Sequence, residues 1–87
     1  VISKEIDLFN EITAYPNPTK GNFEISVPFE QKEVKIEIYN MQSQLISVKT
    51  YPINYGKVQL NIKNQPLGIY FAKLLLSKPT IVKIIKH

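Results

Sequence analysis

The chain has 87 residues, of which 44% are hydrophobic and 21% charged, and this is the composition of a folded globular protein with a single domain. It contains no cysteine, so disulfide bonds and thiolate metal sites are excluded. No apolar run approaches the roughly 20 residues that a membrane-spanning helix requires.

The first eleven residues are predicted to be the remnant of a linker. Ile2, Ile6 and Phe9 have a near-helical spacing, but the segment is short and has no capping signal. The chain starts at Val1 instead of Met, so we expect it to be part of a longer precursor that carries any targeting signal at its own start. The folded domain is predicted to span residues 12–87 and to begin with a short strand at residues 12–15.

A rigid corner follows this strand in the sequence YPNPTKG. Pro16 and Pro18 fix φ at about −65° and disfavour helical geometry in the residues before them. Asn17 tolerates left-handed backbone, and Gly21 is predicted to have a positive φ. The corner leads into a strand at residues 23–27, where apolar and polar residues alternate.

Five more strands are predicted in the rest of the chain, separated by proline, glycine and asparagine residues. The run at residues 69–76 is the most hydrophobic, and we expect it to be covered on both faces. A hairpin turn is predicted at residues 39–44. The five strands are Val34 to Ile38, Leu45 to Tyr51, Val58 to Ile62, Ile69 to Leu76, and the terminal run TIVKIIKH.

Seven short strands without a clear helix predict an all-β fold, an immunoglobulin-like antiparallel β-sandwich. The position of Tyr70 supports this prediction, because it follows Gly68 by two residues and enters a strand after a turn. A tyrosine in that position can donate its hydroxyl to upstream backbone, as in the tyrosine corner of immunoglobulin-like folds.

The net charge of +4 is unevenly distributed. All seven acidic residues lie between Glu5 and Glu37, whereas seven lysines and no acidic residue follow Tyr39. Such asymmetry can indicate an anionic partner. However, every basic residue is lysine, and proteins that bind bases and phosphates favour the bidentate arginine side chain. We therefore expect no nucleic-acid partner, and we interpret the lysines as exposed residues that keep the sheet edges soluble.

The sequence offers no set of residues for catalysis or cofactor binding. His87 is the only histidine, and its terminal position excludes a Ser-His-acid triad. Glu24 and Glu37 alternate with apolar residues and are expected to face solvent. Asp7 is the only aspartate, and the three glycines are too far apart for a phosphate loop. We predict no enzymatic activity, no metal and no cofactor.

Four motifs occur in a fixed order: YPNP with a following glycine, IEIYNMQSQLI, LGIYFAKL and a lysine-rich KIIK terminus. Together they resemble the type A C-terminal sorting domain of the type IX (Por) secretion system of Bacteroidetes, over residues 12–86. The family usually has glycine in the middle hairpin, where this chain has Ser43, so that turn is expected to be of another type or strained. The resemblance implies a sorting motif made of Pro16, Asn17, Pro18, Gly21, Tyr39, Asn40, Gly68, Tyr70, Lys83, Ile84, Ile85 and Lys86.

The resemblance also implies a function. Such domains are export signals at the C-terminus of a secreted cargo protein; shuttle proteins recognise them in the periplasm, and the outer-membrane translocon passes them to the cell surface. A sortase-like cysteine peptidase then removes the domain by cleavage in the preceding linker, near or upstream of residues 1–11, and commonly joins the cargo to anionic lipopolysaccharide. The expected localisation is the periplasm in transit, then the cell surface or the medium.

The last strand is expected to be an exposed edge that pairs with a partner's sheet, and its lysines are expected to steer it towards an acidic receptor surface. Two alternatives remain open. One is a non-catalytic adhesion or glycan-binding module, which requires a cluster of exposed rings, and the other is a lysine-rich nucleic-acid binder. Against both, we expect the large rings to cap the core at strand ends; these are Tyr39, Tyr51, Tyr55, Tyr70 and Phe71.

Overall fold

The computed structural model describes residues 12–27 and 31–87, so the linker predicted at residues 1–11 lies outside the described residues. The described chain forms seven strands and no helix. The strands are β1 (Thr13–Tyr15), β2 (Asn22–Ser26), β3 (Glu33–Tyr39), β4 (Leu45–Pro52), β5 (Lys57–Asn61), β6 (Gly68–Leu74) and β7 (Thr80–Lys86). Within these residues no helix is long and apolar enough to cross a membrane.

The strands form two sheets, a three-stranded sheet in the order β1-β2-β5 and a four-stranded sheet in the order β4-β3-β6-β7. All neighbouring strands are antiparallel. The all-β, immunoglobulin-like sandwich predicted from the alternating runs is confirmed. Alternate residues of β2, β3, β5, β6 and β7 fill the space between the sheets, and the largest fully buried apolar side chains are Ile25, Ile36, Val58, Leu74 and Ile84.

The prediction that β6 is covered on both faces is wrong. Tyr70, Ala72 and Leu74 are buried between the sheets, whereas the intervening Ile69 and Phe71 are only half-buried. No third layer packs on the outer side of β6 among the described residues. The continuous apolar run therefore reflects an apolar outer surface instead of a doubly covered strand.

The two ends of the sandwich are formed by different parts of the chain. At one end β3 and β7 finish and β2 and β6 begin; there Gly68 pairs with Lys86, and Tyr39 pairs with Phe71. We call this the motif end. The described chain enters at the opposite, distal end, where Thr13 pairs with Ser26 in the register of β1 and β2. Entry into β1 and exit from β7 therefore lie at opposite ends of the sandwich.

β7 is an edge strand of the four-stranded sheet, as predicted, but its terminal half is not a free edge. Thr19 forms an isolated parallel bridge with Lys86. The Thr19 backbone N–H donates to the Ile85 carbonyl at 2.7 Å, and the His87 N–H donates to the Thr19 carbonyl at 2.9 Å. The expectation of a fully exposed last strand is wrong for this half, because the corner after β1 covers it.

Candidate functional site

Asn17 joins the proline corner to the end of the chain. Its amide Nδ2 donates to the Lys83 carbonyl at 2.8 Å, and its Oδ1 accepts from the Ile85 N–H at 2.9 Å. One side chain thus supplies the donor and the acceptor that a neighbouring strand would supply. The peptide bonds that precede Pro16 and Pro18 are both cis. The structure therefore brings together the first and the last of the four motifs, which lie more than sixty residues apart in the sequence.

Thr19 and Gly21 complete the corner. Thr19 is buried, and its hydroxyl donates to the Asn22 carbonyl at 2.6 Å and accepts from the Gly21 N–H at 3.0 Å. Gly21 has the positive φ that was predicted, 148°. A Cβ at this position would overlap Cγ of Lys63 and lie 3.1 Å from the Lys63 Cα, so any side chain would also displace the chain after β5. The role of Thr19 was not predicted, although a hydroxyl residue directly after a proline turn commonly bonds to nearby backbone.

Tyr70 forms the predicted tyrosine corner. Its ring is buried, and its hydroxyl donates to the Pro66 carbonyl at 2.5 Å, four residues upstream. Gly68 begins β6 with a φ of 149°, a backbone conformation that side chains rarely adopt. These two residues fix the connection between β5 and β6 at the motif end.

Lys86 is buried, so the interpretation of all the lysines as exposed residues is wrong at this position. Its Nζ donates to the carbonyls of Lys63 and Gln65, and it has no carboxylate partner among the described residues. The reason is the alternation of β7, which points Ile84 and Lys86 inward and leaves Lys83 exposed. In the last motif, the inward side chains of Ile84 and Lys86 therefore pack in the fold, whereas Lys83 remains accessible.

Asn40 organises the hairpin between β3 and β4. Its Oδ1 accepts from the N–H groups of Gln42 and Gln44 at 2.9 and 3.0 Å, and its Nδ2 donates to the Gln44 side chain at 2.8 Å. Ser43 has a φ of 65°, so the residue that replaces the family's glycine adopts the left-handed conformation that glycine favours. Tyr39 donates its hydroxyl to Glu37 Oε1 at 2.7 Å, and this hydrogen bond raises the pKa of Tyr39.

All the predicted motif residues therefore lie at or near one end of the sandwich. The corner, the terminal strand and the loop before β6 form one hydrogen-bonded unit. The hairpin approaches this unit across a shallow concavity of about 390 Å³, whose lining includes Asn40, Pro66, Gly68 and Tyr70. The four motifs, which are separate in the sequence, therefore form one continuous surface at this end.

The described residues carry no arrangement that would bind a metal ion through histidine or carboxylate side chains. Glu24 and Glu37 lie on outward faces, as predicted. Glu24 accepts a hydrogen bond from Gln59 at 3.0 Å and forms an ion pair with Lys57 at 3.2 Å. Both contacts lower the pKa of Glu24, with the Gln59 hydrogen bond as the larger cause. His87 is exposed.

The aromatic rings do not form an exposed cluster among the described residues. The most exposed rings are Tyr55, at 103%, and Tyr15, at 75%, and they lie at opposite ends of the sandwich. The expectation that Tyr55 caps the core is therefore wrong. Tyr39 and Phe71 are cross-strand neighbours, but each is half-buried. The platform of rings that a glycan-binding module requires is absent from this part of the chain.

Comparison with known families identifies the family of the domain. The family model described as the secretion system C-terminal sorting domain matches residues 13–87, which include all four motifs. A search of curated proteins gives no match. The family consists of secretion signals that interact with the type IX machinery and lead to export to the cell surface or the medium. The chain therefore belongs to the family of C-terminal sorting domains of the type IX secretion system.

Proposed function

We propose that this domain directs a cargo protein, joined to its N-terminal side, through the outer-membrane translocon of the type IX system, and that a sortase-like cysteine peptidase removes the domain after export. The observation that carries the proposal is the hydrogen-bonded unit at the motif end. Asn17, Tyr70 and Lys86 bring distant motifs into one rigid surface there. A preformed surface of this kind costs little ordering entropy when a receptor binds it.

The geometry also suits a signal carried behind a cargo. The molecule measures 40 × 27 × 22 Å, and the described chain enters at the distal end. A cargo attached before β1 would therefore lie away from the motif end and leave it accessible to periplasmic shuttle proteins and to the translocon.

Asn40 and Gly68 shape the turns of the motif end, and the other ten predicted motif residues form two groups by their contacts. Asn17, Gly21, Tyr70, Ile84 and Lys86 hold the motif end together through buried contacts or backbone hydrogen bonds. A second group leaves side-chain surface accessible, and in our proposal the secretion machinery contacts these residues directly: Pro16, Pro18, Tyr39, Lys83 and Ile85.

Removal by a peptidase is proposed to occur upstream of β1. The strand pairings that hold the sandwich involve Thr13 and residues C-terminal to it. Cleavage before that point would release an intact domain without breaking any strand pairing of the described residues.

The proposal is tested by fusing the 87-residue chain behind a periplasm-targeted fluorescent protein in a type IX-competent bacterium. We expect the reporter at the cell surface or in the medium without the domain, and in the periplasm of a strain that lacks the translocon. If the fusion stayed in the periplasm while an authentic cargo was exported from the same cells, the proposal would be wrong.

A matched pair of variants separates the signal from the fold. Deleting residues 84–87 is unsuitable, because Ile84 and Lys86 are buried and their loss would unfold the motif end. Lys83→Glu changes an exposed motif lysine, and Lys49→Glu makes the same charge change on an exposed lysine outside the motif. We expect export to fall only for Lys83→Glu, with the same thermal unfolding midpoint for both.

A further inference from the structure

The outer side of the four-stranded sheet carries an apolar surface that the fold does not use. Because Ile38, Tyr70 and Ile84 point into the core, their strand neighbours point outward. The register then places Tyr39 beside Leu45 and Phe71, and Ile69 beside Ile85. We call this surface the outer face; its apolar members are Tyr39, Leu45, Val48, Ile69, Phe71, Ile81 and Ile85.

The composition of the outer face is unusual for a solvated sheet. An antiparallel sheet with one face in water normally alternates apolar residues inside with polar residues outside. Here three apolar side chains are exposed on the outer face, Leu45 at 53%, Val48 at 43% and Ile81 at 63%. Nothing among the described residues packs on them. The contiguous part of this surface runs from Leu45 through Tyr39 and Phe71 to Ile69 and Ile85, whereas Lys73 and Lys83 separate Ile81 from it. A contiguous apolar patch with exposed members indicates an interaction surface.

The charges on the outer face indicate what kind of partner fits it. Lys83 lies beside Phe71 in the register, and Lys73 lies one row further towards the distal end. The nearest carboxylate, Glu37, already accepts the Tyr39 hydroxyl. Lys73 lies opposite Glu37, so Lys83 is the cationic group beside the apolar patch at the motif-end half. This arrangement is complementary to an apolar surface bordered by carboxylates.

We propose that the outer face docks onto another protein whose contact surface is apolar at its centre and rich in carboxylates at its rim. The assignment of that protein to the secretion machinery rests on the function proposed above. Three motif residues whose side chains do not hold the motif end together, Tyr39, Lys83 and Ile85, lie on this face. Docking gives them a role in recognition.

A protein partner fits the face better than a lipid surface. Ile69, Phe71 and Ile85 are half-buried among their neighbours, so they form a flush surface instead of projecting side chains that insert into a bilayer.

The test uses the reporter fusion with the double substitution Leu45→Glu and Val48→Glu. Both positions are exposed on the edge strand β4, so the domain is expected to stay folded. Tyr55→Glu is the control, because Tyr55 is exposed but lies at the distal end, away from the outer face. We expect the double variant to reduce exported reporter by about tenfold or more, the change that corresponds to ~1.4 kcal/mol of lost binding, and the control to export normally.

A second measurement identifies the protein that binds to the outer face. A photocrosslinking residue at position 45 should form an adduct with a component of the secretion machinery, and the same residue at position 55 should not. Normal export of the folded double variant would overturn the docking proposal and leave the export function intact, since the unsubstituted fusion tests that function.

Three other occupants of the face would each overturn the proposal. The first is a second copy of the chain, seen as a dimer in sedimentation that Leu45→Glu abolishes. The second is a lipid surface, seen as binding of the purified chain to phosphatidylglycerol vesicles. The third is residues 1–11, in which case their removal would increase the fluorescence of an apolar dye only when Leu45 and Val48 are intact.

Discussion

Three buried polar side chains make the motif end rigid, and each does so by bonding to backbone groups outside the strand ladders. Thr19 bonds to the corner itself, Tyr70 to Pro66, and Lys86 to two carbonyls of the loop after β5. No buried side-chain nitrogen or oxygen of the described residues lacks a partner. Since an unsatisfied buried polar group is costly, each of these contacts ties the loop conformation to the packing of the core.

The hydroxyl of Tyr70 is expected to stabilise the domain measurably. Tyr70→Phe keeps the buried ring but leaves the Pro66 carbonyl without its donor, so the free energy of unfolding should fall by about 1–2 kcal/mol. Urea unfolding followed by fluorescence measures this difference. Tyr39→Phe is the control, because that hydroxyl bonds an accessible carboxylate that water can solvate. Equal losses for the two variants would contradict a structural role for the tyrosine corner.

Glu24 should give the domain a pH-dependent stability in acid. The Gln59 hydrogen bond and the Lys57 ion pair lower the pKa of Glu24 in the folded state. The unfolded state therefore binds the proton more readily, so this contribution is complete above the unfolded pKa and is lost as the pH falls through the lowered folded pKa. Glu24→Gln should show a shallower loss of stability over that range in urea titrations. Lys57→Met should reproduce only part of this change. If both variants lost stability at low pH in the same way as the unsubstituted domain, Glu24 would not be the source of the pH dependence.

At the scale of the strands, much of the architecture was predictable because burial on one face leaves a period of two in the sequence. Val34, Ile36 and Ile38 are one example, and the structure buries all three. The cover over the end of β7 was not predictable, because Asn17 reaches it through a tertiary contact that no local pattern records. The burial of Lys86 was missed for the same reason, since its partners are carbonyls of a loop more than twenty residues away.

The β3–β4 hairpin is strained by one residue, and a single substitution should relieve this strain. Ser43 adopts a φ of 65°, a left-handed conformation that costs a residue with a Cβ roughly 1–2 kcal/mol. Glycine removes this cost but loses about 0.5–1 kcal/mol of chain entropy on folding. Ser43→Gly should therefore stabilise the domain by up to about 1.5 kcal/mol in urea unfolding. Ser47→Gly in β4 should destabilise it, and a loss of stability in both variants would show that the turn is not strained.

At the scale of the whole molecule, the sandwich separates the point where the chain enters from the surface that carries the motifs. The described chain enters beside Ser26 and finishes beside Thr19, and the longest dimension of the molecule is 40 Å. The contacts at the motif end join chain segments that are far apart in sequence, so this surface exists only once the whole domain has folded. In our proposal the secretion machinery therefore reads the folded sorting domain and not a linear peptide.

This separation predicts that export depends on which end of the domain the cargo is joined to. A fluorescent protein joined after His87 would lie against the motif end, whereas the described chain enters at the distal end, so we expect a reporter on the N-terminal side to leave the motif end accessible. Because His87 is exposed and its hydrogen bond to the Thr19 carbonyl comes from the backbone N–H, which a fusion keeps, the C-terminal fusion should leave the free energy of unfolding unchanged. We expect the N-terminal fusion to be exported and the C-terminal fusion to stay in the periplasm, measured by fluorescence of cell fractions. A short flexible C-terminal extension should impair export less than the folded reporter, since the obstruction is steric. Equal export of both fusions would mean that the machinery reads another part of the domain.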